Sequence, residues 1–398
     1  MQNITRRIET QVLEDLQEKM VLIAGPRQCG KTTLAESIIK NLKGSYYNWD
    51  ILEHQKLIKK AELDLRSPLW TLDEIHKYKF WRNLLKGLYD EHHKKHKILV
   101  TGSAKLDVYS RGGDSLQGRY FFHRLHPFTL SEVLGINFIN NIELVPELIH
   151  NSNKVDCHCV LNDLLHYSGF PEPFTRGSVD AYKRWSLGYG TRLIKEEIRD
   201  LEKVFELDKM ELLYDHLPQT VGSVLSMNSL REDLEINYRT VANWINIFEK
   251  NYACFRISPF SSAKIKAVKK EQKLYLWDWA QIQKKSARFE NLIAVHLLRF
   301  VHYIMDVQGI KAELRFFRDT RKREVDFLII KDRKPWIAIE VKESQSDLDP
   351  NLKYLLEKIK IPYAFQLHLN GKTFKKIPSI NGTQIYIMPA SEFLLNLP

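Results

Sequence analysis

One octet constrains this chain more than any other feature. Gly25-Pro26-Arg27-Gln28-Cys29-Gly30-Lys31-Thr32 fits G-x-x-x-x-G-K-[ST], and both flanks that give the pattern meaning are present. Before it, Val21 to Ala24 (VLIA) reads as a buried strand; after it, TLAESIIKNLK reads as a helix. In a strand, glycine loop, helix unit the glycines let the backbone curl, so that successive N–H groups of Gly25, Gln28, Cys29, Gly30, Lys31, Thr32 and Thr33 face a phosphate. The helix N-terminus there favours negative charge. Lys31 would reach the β- and γ-phosphates and the Thr32 hydroxyl would bind Mg²⁺, so the expected cofactors are ATP and Mg²⁺.

Such a loop needs an acid at the end of a nearby apolar strand, and Leu69-Trp70-Thr71-Leu72-Asp73-Glu74 supplies it. Asp73 would hold the Mg²⁺ hydration shell, and Glu74 is placed to orient or deprotonate an attacking water, which favours hydrolysis over mere binding. KILVTGS reads as a third strand, ending at Thr101-Gly102-Ser103, where a polar side chain can meet the γ-phosphate or the water; Ser103 is preferred over Thr101. Arg119 is an arginine-finger candidate, in its own or a neighbouring subunit, with a structural arginine as the alternative. Action on a neighbour would require a homo-oligomer.

At 398 residues the chain has room for roughly 2.7 domains. With 44% hydrophobic and 27% charged residues it is globular in composition, which excludes collagen-like, mucin-like and wholly disordered chains. No stretch approaches the roughly 18 consecutive apolar residues of a membrane span, and MQNITRRIETQVLEDLQEKM lacks the apolar block of an export signal, so a cytoplasmic location without membrane contact is expected. Cys29, Cys157, Cys159 and Cys254 make no disulfide framework and no zinc spacing. His92, His93 and His96 read as a solvated helix end.

Strands alternating with helices imply a parallel sheet covered on both faces. Residues 128–200 read as mostly helical. DKMELLYDHLPQT, SLREDLEI and YRTVANWINIFEK, followed by strands YACFRISPF and KLYLWDW, suggest a winged helix, with Tyr238, Arg239, Thr240 and Asn243 outward and Val241, Trp244, Ile245 and Phe248 inward. Groove binding there is disfavoured by 5 Lys+Arg against 9 Asp+Glu in residues 201–250. The expected fold is α/β: a P-loop parallel-sheet core (1–135), a helical region (136–200), a winged helix (201–260) and a mixed α/β domain (261–398).

The order GPRQCGKTTL, LDEIHK, ILVTGSAKL, GRYFFHRLHPFTLSE, SGFPEPF and then Tyr238-Arg239-Thr240-Val241 resembles the bacterial and archaeal AAA-type ATPases that carry a C-terminal domain of unknown function, along nearly the whole chain. The resemblance implies an AAA+-like ATP-binding core (1–135), a helical region with a winged helix, and a restriction-endonuclease-like C-terminal domain (261–398). Cys29 and His76 depart from the commoner small aliphatic and glutamine residues without removing a phosphate or Mg²⁺ ligand.

In the C-terminal third, Glu340 and Lys342 lie two apart on the strand WIAIEVK and so share a face. Asp326 lies in EVDFLII, expected to pair with that strand, and Glu290 on the helix RFENLIAVHLLRF. Together Glu290, Asp326, Glu340 and Lys342 resemble the PD-(D/E)XK nuclease motif, in which the acids bind Mg²⁺ and the lysine assists a water or stabilises charge. A structural ion pair of Lys342 with Asp326 or Glu340 is the competing reading. Residues 1–260 hold 35 Lys+Arg against 34 Asp+Glu and residues 261–398 hold 25 against 15, so the excess of +11 is almost all C-terminal, Arg315, Arg318, Arg321, Lys322 and Arg323 included. That charge points to a nucleic acid, DNA first. The sequence therefore reads as an ATP-hydrolysing AAA-type ATPase whose nuclease-like domain binds nucleic acid, with Mg²⁺-dependent cleavage left open; the alternative is a nucleotide-operated switch with a silent nuclease-like domain that binds DNA or a partner protein.

Overall fold

A computed structural model describes residues 4–102, 106, 116–136, 157–198, 206–261, 271–371 and 373–398. Contacts divide the chain into two compact units: Met1–Pro127 with Lys250–Tyr252, and Phe128–Glu249 with Ala253–Pro398.

The first unit is built on a five-stranded sheet in the order β2-β3-β4-β1-β5, with every pairing parallel. Its strands are β1 (Met20–Ala24), β2 (Ser45–Asn48), β3 (Leu69–Asp73), β4 (Lys97–Gly102) and β5 (Tyr120–Arg124). β1 and β3 are buried at every residue, as unbroken apolar runs must be when helices cover both faces of a parallel sheet. Helices α1 (Ile8–Asp15), α2 (Lys31–Leu42), α3 (Leu52–Lys60) and α4 (Trp81–His92) connect or precede the strands. The expected α/β core with a parallel sheet is thus present. β4 separates the loop-bearing β1 from the acid-bearing β3, and the register sets Ala24 beside Gly102, Ile23 beside Thr101, and Thr101 beside Asp73. Loop, Asp73 and Thr101 accordingly meet at the carboxyl edge of the sheet, where open α/β sheets bind ligands. Of the histidines at the end of α4, His93 is exposed as expected, but His96 is buried, its ring stacked 4.2 Å from that of Trp70, and the half-buried His92 meets Trp70 edge-on.

The second unit opens with α5 (Leu130–Val133), closed by a capping box between Thr129 and Glu132. α6 (Cys157–Tyr167), α7 (Pro171–Arg176), α8 (Val179–Arg192), α9 (Leu207–Thr220), α10 (Met227–Asp233) and α11 (Tyr238–Lys250) follow. In α11 the residues Val241, Trp244, Ile245 and Phe248 are buried while Tyr238, Arg239 and Asn243 are exposed, as period-3.6 patterning requires. The second sheet has eight strands in the order β12-β13-β11-β10-β9-β8-β6-β7. They are β6 (Cys254–Pro259), β7 (Lys273–Leu276), β8 (Ala312–Arg318), β9 (Glu324–Lys331), β10 (Lys334–Ser344), β11 (Tyr363–Asn370), β12 (Lys375–Ile380) and β13 (Thr383–Pro389). β6 pairs antiparallel with β7 and parallel with β8, so one sheet runs through the boundary expected near residue 260. β9 and β10 form an antiparallel hairpin whose turn residues Asp332 and Arg333 both have positive φ, 48° and 64°. This is the backbone hand that matches strand twist in a two-residue turn, reached here without glycine.

The 22-residue helix α12 (Lys285–Asp306) packs against this sheet, and α13 (Pro350–Lys358) and α14 (Ala390–Leu395) complete the unit. Arg299 of α12 forms a two-pronged pair with the fully buried Glu132 side chain at 2.6 and 2.8 Å, and His296 accepts the Leu130 N–H at 3.3 Å. Burial pushes His296 down to about 4, so it is neutral and able to accept near neutral pH. Among the described residues, no helix is long and apolar enough to cross a membrane.

Candidate functional site

The glycine loop is held from behind. Leu125 N–H donates to the Ala24 carbonyl at 2.8 Å, and a Cβ on Gly25 would lie 2.3 Å from the Leu125 oxygen, so only glycine allows this approach. Gln28 and Gly30 take positive φ, 59° and 96°, which turns the chain into α2 at Lys31. The buried Arg6 guanidinium donates to the Cys29 carbonyl at 2.8 Å and to that of His126, tying the loop to the segment after β5. Cys29 is wholly buried with its sulfur 3.7 Å from the Leu125 oxygen, and burial pushes its thiol up despite Lys31 and Arg6. It is a packing group, and any role toward phosphate falls to its backbone. Thr32 and Thr33, on the first turn of α2, are exposed.

Lys31 reaches back across the loop, its ammonium donating to the carbonyls of Gly25 at 3.0 Å and Pro26 at 2.8 Å. Asp73 is fixed by three hydroxyls: Thr101 donates to Oδ1 at 2.5 Å, while Thr32 at 3.2 Å and Tyr46 at 2.6 Å donate to Oδ2. Burial and the adjacent Asp73 push the Tyr46 phenol well above its ordinary range, so it stays a donor. Glu74 has φ 56°, and its N–H donates to the Thr101 oxygen at 2.9 Å. Its carboxylate lies 3.4 Å from Lys77 Nζ and 3.6 Å from His76 Nε2, and Lys77 also reaches Asp50 at 2.7 Å. His76 is buried beneath Gly102, where a Cβ would come within 2.5 Å of Nδ1. The glycine of Thr101-Gly102-Ser103 thus makes room for the residue beside Glu74.

Ser103 lies outside the described residues. The polar residue that β4 brings to the acid is Thr101, and Tyr46 on β2 joins it without having been singled out in the sequence. Arg119 is paired with Asp90 of α4, Nε to Oδ1 at 2.7 Å and Nη2 to Oδ2 at 3.1 Å.

The C-terminal acids also converge, through contacts that the sequence pattern did not include. Hydrogen bonds cross-link β9 and β10 at the acids: Asp326 N–H donates to Glu340 at 3.4 Å and Val341 N–H to Asp326 Oδ2 at 3.0 Å. Lys342 sits 2.7 Å from Glu340 and 2.8 Å from Asp349, the N-cap of α13. Lys273 of β7, buried to 2% side-chain exposure, lies 3.0 Å from Glu290, 2.7 Å from Glu324 and 3.4 Å from Asp326. Tyr275, on the same face of β7, donates to Glu290 at 2.7 Å. Burial alone would lower Lys273, but Tyr275, Asp326, Glu290 and Glu324 outweigh it and hold the ammonium well above its usual range. Burial and the neighbouring Glu290 push Asp326 up to about 6; burial and Asp326 push Glu340 up as well. Among the described residues, no group of three His, Cys, Asp or Glu side chains is arranged to hold a metal ion. Of the basic residues nearby, Arg315 is paired with Glu313, Arg318 with Glu271 and Glu324, and Arg323 with Asp319; Arg321 and Lys322 are exposed.

Family models match three successive segments: an AAA domain at residues 17–134, a domain of unknown function (DUF8612) at 160–283, and a domain of unknown function (DUF4143) at 285–391. An uncharacterized protein of Methanocaldococcus jannaschii is 24% identical over 371 residues, 83% of this chain and 76% of that protein. An uncharacterized protein of Mycobacterium tuberculosis is 23% identical over 261 residues, 65% of this chain and 54% of its own length. Among solved structures, a Bacteroides sp Pif1 in complex with ADP-AlF4 covers 41% of this chain and 50% of its own at 14% identity and TM-score 0.25. A signal transduction ATPase with numerous domains from Pyrococcus horikoshii covers 77% and 48% at 14% identity and TM-score 0.23. No fold correspondence follows from scores this low. The AAA-domain match coincides with the glycine loop, Asp73 and Thr101 and supports an AAA-type ATPase. The two C-terminal matches carry no assigned activity.

Proposed function

We propose that this chain is an ATP-operated switch: the N-terminal unit binds and hydrolyses ATP, and the basic C-terminal unit binds nucleic acid in a manner that the nucleotide state regulates. The observation that carries the first part is Asp73, a buried carboxylate oriented by Thr101 and Tyr46 and within 3.2 Å of the Thr32 hydroxyl. Two hard oxygen donors from the loop helix and the acidic strand suit Mg²⁺, which keeps its waters and takes its remaining ligands from phosphate. Thr32 and Asp73 would hold the ion, which neutralises charge on the β- and γ-phosphates when bound.

The chain's own groups do the rest. Phosphate oxygens replace the Gly25 and Pro26 carbonyls as acceptors for Lys31. Backbone N–H groups at the start of α2 cradle the anion. Glu74 takes the proton of the attacking water, and its carboxylate must leave Lys77 and His76 to do so. Arg119 would have to leave Asp90 before it could reach a phosphate, in its own chain or a neighbour's.

Support for nucleic acid as the partner is the charge of residues 261–398, 25 basic against 15 acidic. Cutting is left out of this reading because Lys273 already holds Glu290 and Asp326. The test is affinity for labelled single- and double-stranded DNA and RNA, measured without nucleotide, with ADP, and with ATP on the Glu74→Gln chain. An affinity that differs between nucleotide states is expected, and one indifferent to them contradicts the switch. If binding runs through phosphates, log K falls linearly with log salt, and Arg321→Ala with Lys322→Ala lowers the slope by about 2. A salt titration of both proteins reads this.

A further inference from the structure

We propose that the ammonium of Lys273 takes the place of a divalent cation among Glu290, Asp326 and the neighbouring Glu324, so that the nuclease-like acids which the sequence sets out belong to a metal-free ion network. The three carboxylates come from α12 and from two positions of β9, and the ammonium enters from β7 at 3.0, 2.7 and 3.4 Å. An ammonium has three N–H groups, and here it meets three carboxylates. Side chains of this charge are not left buried without a cation, because an unpaired buried carboxylate loses its hydration with nothing to replace it.

The acids also hold further partners. Glu290 Oε1 accepts from Tyr275 as well as Lys273, Asp326 Oδ2 accepts the Val341 N–H, and Glu340 is shared between Lys342 and the Asp326 N–H. Lys342, the residue expected to serve a water, bridges Glu340 and Asp349. The arrangement satisfies the acids from within one chain and fixes α12, β7, β9 and β10 around them. It deepens the reading of the C-terminal unit as one that binds and does not cut, and it stands apart from ATP turnover.

The test uses the full-length chain without nucleotide and Mn²⁺ as the probe, with bound ion counted by electron paramagnetic resonance. Wild type is compared with Asp326→Asn and with Lys273→Met, which removes the ammonium and keeps an unbranched side chain one atom shorter. Wild type is expected to show no Mn²⁺ that Asp326→Asn removes, and Lys273→Met to gain one Mn²⁺ per chain together with a melting temperature that rises with Mn²⁺. A wild-type Mn²⁺ site lost in Asp326→Asn overturns the proposal, as does a folded Lys273→Met protein that takes up none. Should Lys273→Met not fold, the comparison of wild type with Asp326→Asn decides. Nucleotide-dependent binding of nucleic acid, measured on the same wild-type preparation, reports separately on the switch.

Discussion

Glu74→Gln binds ATP with near wild-type affinity and turns it over about 10²- to 10⁴-fold more slowly, the range that a positioned general base contributes. The geometry explains why the two effects separate. The contacts that place Glu74 run to β4 and to the turn after β3: its N–H bonds to Thr101, and its carboxylate meets Lys77 and His76. Glutamine keeps the size and the left-handed backbone but cannot accept a proton. Single-turnover phosphate release beside a nucleotide-binding titration separates the two steps, and a parallel loss of affinity would assign Glu74 to binding.

Arg299→Met destabilises the C-terminal unit by about 3–5 kcal/mol, since it leaves the fully buried Glu132 carboxylate without its cation. Glu132 also belongs to the capping box of α5, so its loss of charge or position is felt at the start of the unit. Replacing both partners, Arg299→Met with Glu132→Leu, restores most of the loss, because two apolar groups leave no buried charge. Urea unfolding of the three proteins measures this. Equal destabilisation by the single and double variants would mean that packing, and not the buried charge, sets the cost.

The loop, its strand and its helix were legible because each signal is local: glycine spacing, a continuous apolar run, and a helix start within 12 residues of one another. β3 and β4 were legible for the same reason, β3 being buried throughout and β4 at every residue after Lys97. β2 was not: it is an edge strand of four residues, only one of them buried, and SYYN carries neither alternation nor an apolar run. With β2 hidden, Tyr46 could not be placed beside Asp73, although Asn48 and Asp73 are in register. Thr101 ranked behind Ser103 because the sequence does not say which polar residue of a strand end faces the acid; Thr101 does, and Ser103 lies outside the described residues.

In the C-terminal third, the hairpin that brings Asp326 to Glu340 follows from alternating strands and a short charged turn. Lys273 was hidden for a different reason. It stands in a segment that reads as the second strand of a winged helix, whereas β7 joins β6 at the edge of the sheet that holds the acids. A lysine two residues before a tyrosine on an apolar strand, KLYL, is the signal that points to a buried ion partner, and period-two alternation puts both on one face. The partner itself is set by long-range pairing, which local pattern does not carry.

The measurement that bears most directly on the account is phosphate release from ATP by the purified full-length chain with Mg²⁺, wild type beside Lys31→Ala. The account predicts Mg²⁺-dependent turnover in wild type and its loss in the variant, because the ammonium that bridges Gly25 and Pro26 is the loop's only lysine. Equal turnover in the two proteins, or a wild type that neither binds nor hydrolyses ATP, would contradict it.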